Sequence, residues 1–161
     1  MKGKTVLFEI ARWAAVVAIV VSLLIAFGGN TVSSANAQDV AEAVTATLDM
    51  ENMQLAENQM IKRLYGLDPS AYESCILYYP NTNMMAEELL IVKLKDVSQQ
   101  EEVLAAAQSR LDTQKNTFEG YGVEQFDLLT NHCVLEAKGN FVLFVVSADC
   151  DAAQDAFADA L

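Results

Sequence analysis

A chain of 161 residues, 53% of them hydrophobic, is long enough for one domain of ordinary size once an apolar N-terminal block is set aside. Residues 1–37 hold three basic residues and one acidic residue (+2), whereas residues 38–161 hold 7 basic and 21 acidic residues (−14). So acidic a domain repels phosphate backbones and anionic bilayer surfaces, which sets aside nucleic-acid binding and flat adsorption to a membrane.

The run WAAVVAIVVSLLIAF (13–27) contains no charge, follows Lys2, Lys4 and Arg12, and ends at Gly28-Gly29. Fifteen apolar residues are short of the roughly 20 that span a bilayer, but Ile10, Ala11 and the glycines extend them. Two readings follow for residues 1–37: a signal-anchor, or a signal peptide cleaved at the A-x-A-like Ala35-Asn-Ala37 before Gln38. The long spacing from apolar run to cleavage site favours the anchor. Both place the basic residues in the cytoplasm and the acidic domain, 38–161, outside it. The expected location is therefore the cytoplasmic membrane, with secretion after cleavage at Ala37 as the alternative.

From Gln38 the pattern turns helical, with Val40, Ala43, Val44, Thr47 and Leu48 at steps of three and four and Asp39 placed to cap. The stretch MENMQ (50–54) loosens it. A second helix over about 56–65 closes on Lys62-Arg63 and Gly66, before an Asp68-Pro69 turn. SCILYY (74–79) and LLIVKLK (89–95) read as strands, joined by PNTNMMAEE (80–88), which is long for a hairpin. Residues 97–118 predict an amphipathic helix with Leu104, Ala107, Leu111 and Phe118 on one stripe. A short helix around 123–130 follows. CVLEAK (133–138) and FVLFVVS (141–147) then flank a Gly139-Asn140 hairpin turn. The last helix starts near Asp149 with Ala152, Ala153, Ala156, Phe157 and Ala160 inward.

Cys75-Ile-Leu resembles Cys133-Val-Leu, and the capped helix starts at Asp96 and Asp149 follow at similar distances. The expected fold is α+β: N-terminal helices, then two ββα units forming a four-stranded antiparallel sheet with helices on one face.

GLDPSAY (66–72), MMAEELLIVKLKD (84–96), TQKNTFEGYGVEQFDLL (113–129) and KGNFVLFVVSAD (138–149) occur in that order. Together they resemble the domain-of-unknown-function family DUF4358, over roughly residues 38–161. The resemblance implies an N-terminal signal or membrane helix followed by one small exported domain, largely in Gram-positive anaerobes. It implies no activity, substrate or site.

The chemistry-bearing residues are few. His132, the lone histidine, adjoins Cys133, but neighbours in a strand point to opposite faces and form no dyad. No G-x-S-x-G is present. Asp149-Cys-Asp151 lacks the glycine and terminal glutamate of a calcium loop, and capping accounts for its acids. Glu87-Glu88 and Glu101-Glu102 read as strand-entry and first-turn residues. No catalytic residue, metal or cofactor is expected. If the repeat holds, Cys75 and Cys133 are the best candidates for a disulfide; three reduced cysteines packed as small apolar groups is the preferred reading, the more so in an anaerobe. Met84 and Met85, beside Tyr78, Tyr79 and Pro80, form a candidate adaptable contact surface. In TFEGYGVEQF (117–126) Gly120 ends a helix and Gly122 frees the chain to turn, leaving Tyr121 without a packing role and so a candidate contact.

The expected function is a non-enzymatic, exported domain, tethered through its N-terminal helix, that binds a partner or supports an envelope complex. The alternative is a small envelope-facing enzyme or ligand-binding module. A polar cleft with perturbed acids would favour the second, and an exposed Met/Tyr patch the first.

Overall fold

Two runs that bury every residue organise the protein. The structure, a computed structural model, describes residues 32–161. Among these are five helices and five strands: α1 (Ala37–Thr45), β1 (Met53–Leu55), α2 (Asn58–Tyr65), β2 (Ser74–Pro80), β3 (Glu88–Lys93), α3 (Gln100–Phe118), α4 (Val123–Asn131), β4 (Cys133–Lys138), β5 (Phe141–Val146) and α5 (Cys150–Asp159). All five strands join one antiparallel sheet in the order β1-β2-β3-β5-β4. The central strands β3 and β5 are buried at every position. A strand buried on both faces needs a layer of helices on each.

That requirement corrects the expected single helical layer. Leu90, Val92, Val142 and Phe144 pack with Ile61 and Tyr65 of α2, Ala107 and Leu111 of α3, and Leu129 of α4. On the opposite face Leu89, Ile91, Leu143 and Val145 pack with Val40 and Val44 of α1 and with Ala153 and Phe157 of α5. The sheet also has five strands rather than four, because MENMQ hides the edge strand β1. Ala56 N–H bonds Leu77 C=O and Asn81 N–H bonds Asn52 C=O, which sets β1 against β2. Pro80 falls opposite Met53, outside those bonded positions, where its missing N–H is tolerated.

The repeat survives in the strands and fails in the helices. Cys75 and Cys133 occupy the same face of their respective strands, β2 and β4. Yet the helix after the first strand pair covers one face and the helix after the second covers the other. Nor does the repeat bring the two cysteines together. Two strands, β3 and β5, stand between β2 and β4. Three strand spacings amount to about 14 Å, whereas a disulfide needs Cα atoms about 4.4–6.8 Å apart. All three cysteines are free.

Two local expectations also shift. The cap of α1 is Asn36, whose side chain accepts from Gln38 N–H, so the helix starts ahead of Asp39. Gly122 has φ −102°, which any residue can adopt. It is needed for space, since a Cβ there would lie 2.5 Å from Phe118 Cδ1. Gly120, at φ +89°, does end α3 as expected. Ala152, expected inward, is exposed.

Residues 33–36 belong to the fold. Ser33 N–H donates to Asn140 Oδ1 (2.8 Å) and its hydroxyl donates to Leu161 C=O (2.8 Å). The apolar run 13–27 lies outside the described residues; among those described, no helix is long and apolar enough to cross a membrane.

Candidate functional site

The polar centre of the domain is Glu88, the first residue of β3, whose side chain is 0% exposed. Its two oxygens accept from donors on two helices. Tyr65, the last residue of α2, donates its hydroxyl to Oε1. Arg110 on α3 grips the carboxylate through Nε (3.1 and 3.2 Å) and through Nη2 to Oε2 (2.7 Å). Gln114, one helical turn further on, gives Nε2 to Oε2 (2.9 Å). Burial first, and then the charge of Glu88, lifts the Tyr65 hydroxyl well above its usual range. Burial works against the Arg110 charge, but the Glu88 bonds and charge outweigh it and raise that pKa. A carboxylate this fully engaged ties α2, α3 and the sheet together and has no free lone pair directed at a reactant.

Beside this network lies a cleft of about 220 Å3 between α2, the end of β2, the 81–87 loop and the last turns of α3. Tyr79, Met85, Arg110, Gln114 and Phe118 line it. A second cleft of about 380 Å3 opens along β1 and α2 and shares Met60, Arg63 and Tyr79 with the first. The 81–87 loop is pinned at its far end, where Ala86 N–H donates to Gln125 Oε1 of α4 (2.7 Å).

These contacts gather the expected contact residues at one end of the domain. Met85 lines the cleft, and its neighbour Met84 is 67% exposed. Tyr121, 62% exposed, leans on Phe118 across the α3–α4 turn with ring centroids 6.0 Å apart. Val123 is exposed as well. The cysteines lie elsewhere. Burial pushes the Cys75 thiol up to about 12, and burial followed by the Asp151 charge raises that of Cys150, so both are poor nucleophiles at neutral pH. His132 caps α4 at the surface, 3.7 Å from Asp127.

The family described as Domain of unknown function (DUF4358) matches residues 46–147. The chain belongs to this family. The match contains the Glu88 network, both clefts and Tyr121, and leaves out α1 and α5. No curated protein and no solved structure matches the chain.

Sequence reasoning missed Glu88, Arg110, Gln114, Tyr65 and Arg63. One signal was present: Glu88 directly precedes a run of buried-strand residues, and Arg110 and Gln114 sit one turn apart on the inward side of α3. A charge at the mouth of an apolar strand, with a cation on the packed helix, is the pattern of a buried pair.

Proposed function

We propose that this DUF4358 chain is an extracytoplasmic, membrane-tethered binding module rather than an enzyme. Its working surface is the end of the domain formed by the 81–87 loop and the α3–α4 turn. The observation that carries the reading is the exposure of Met84 and Tyr121 beside a cleft walled by Met85, Phe118 and Tyr79. Large apolar side chains exposed around a concavity mark recognition surfaces. The loop that displays Met84 is anchored at Ala86 and at Glu88, and Tyr121 rests on Phe118, so the surface is preorganised.

Tethering is supported by the charge asymmetry and by the apolar run 13–27. Cleavage after Ala37 would remove Asn36, the cap of α1, and Ser33, which ties the segment to Asn140 and Leu161. An uncleaved anchor keeps both.

Photocrosslinking in the native cell tests the surface. A benzophenone side chain at Met84 or Tyr121 is expected to give a discrete adduct, and one at Asp112, exposed on α3, none. Absence of adducts at all three positions, or equal adducts at all three, refutes the reading. A mature chain that starts at Gln38 refutes the anchor.

A further inference from the structure

The two clefts share Met60, Arg63 and Tyr79 and so make one trough, and its charges are ordered along it. Arg63 stands where the two clefts join, Arg110 lines only the first and Glu57 only the second. Arg110 spends Nε and Nη2 on Glu88, which leaves Nη1 as a donor. Among the described residues Arg63 makes no ion pair and no side-chain hydrogen bond, in a domain where acids outnumber bases three to one. Gln114, 4% exposed on the cleft floor, commits Nε2 to Glu88 and leaves Oε1 buried with no donor. Between these groups Met60, Tyr79, Met85 and Phe118 share the walls with neutral polar side chains such as Gln59 and Thr82.

We propose that the trough binds a short extended peptide by its free C-terminal carboxylate, deepening the binding-module reading above and resting on it. The carboxylate lies between Arg63 and Arg110, where a guanidinium offers paired donors matched to its two oxygens. A backbone N–H near that end serves Gln114 Oε1, whose lack of a donor is otherwise costly. The side chains rest on the thioether and aromatic walls, and Met60 and Met85 adjust to their shape. The peptide runs outward toward Glu57, which favours a free amine at the far end. A phosphate or sulfate ester would use the arginines but neither the Gln114 acceptor nor Glu57. An apolar ligand would use neither.

The test is titration of the full-length chain in nonionic detergent with millimolar tetra-alanine, its C-terminal amide and its N-acetyl form. It is followed by the methyl resonances of Met60 and Met85. The free acid is expected to shift both methyls saturably, and the amide to bind about tenfold more weakly or worse. Arg63→Gln should reproduce that loss while leaving the fold intact, because Arg63 is exposed and, among the described residues, makes no ion pair or side-chain hydrogen bond. The N-acetyl form should weaken less than the amide. Equal binding of acid and amide, wild-type affinity in R63Q, or no shift with any peptide overturns the inference. None of these results touches the crosslinks at Met84 and Tyr121, which decide the broader reading separately.

Discussion

Removing Arg110 should destabilise the domain more than removing the charge of Glu88. The asymmetry follows from exposure. The Glu88 side chain is 0% exposed and that of Arg110 16% exposed. In Arg110→Met the carboxylate loses three of its contacts and its only cation among the described residues, yet stays sealed from water. Breaking a buried pair in this way costs about 3–5 kcal/mol. In Glu88→Gln an acceptor remains for Tyr65 or Arg110, and the guanidinium can turn toward the cleft and be hydrated. That loss resembles one buried hydrogen bond, about 1–3 kcal/mol. Urea unfolding followed by circular dichroism at pH 7 measures both costs. Equal costs at pH 7, or the reverse order, would refute the placement of Glu88 as the sealed hub.

Other outcomes follow from the same contacts. The Cys75 thiol, held from its ordinary 9.0 to about 12, and Tyr65, held well above 10.0, keep their protons in the folded state after the unfolded chain has lost them. Their contribution to stability is therefore complete below about pH 9 and declines as pH rises from there toward 12; the Cys75 part is at most about 4 kcal/mol and is absent in C75A. An alkaline denaturation profile shared by wild type and C75A would count against this. Gly122→Ala drives a methyl into Phe118 and should cost about 1–3 kcal/mol, with displaced Phe118 and Tyr121 resonances. A silent substitution would mean that the turn is looser than its geometry. Ser33→Ala and Asn36→Ala should each lower stability by about 1 kcal/mol, read as a fall in thermal midpoint; no change in either would detach residues 33–36 from the fold.

The succession of elements was legible because its signals are local. Gly139-Asn140 between apolar runs, Gly66 after Lys62-Arg63, and Asp68-Pro69 each fix a boundary through nearest-neighbour chemistry, and each boundary is where the sequence puts it. The layer count was legible too, although the expected fold puts helices on one face only. FVLFVV is continuous rather than alternating, which marks a strand buried on both faces. The edge strand β1 was not legible. Three residues carry no period, and Met53–Leu55 becomes a strand only because Tyr78–Pro80 offers it partners.

The candidate surface divides along the same line. Met84, Met85 and Tyr121 could be singled out because loop and turn residues without a packing partner stand out in sequence. What unites them could not be, since it depends on Phe118 serving two faces. Phe118 is 4% exposed in the core beneath α3, supports the Tyr121 ring, and closes the cleft that Met85 lines. Gly122 exists to admit it. The glycine-flanked tyrosine is thus held in place by core packing, and the methionine loop by Glu88 at its root and Gln125 at its side. Those anchors come from residues 22 to 39 positions away in the chain. No local pattern encodes a relation at that distance. A displayed apolar edge held so firmly is suited to meet a partner without first paying to become ordered.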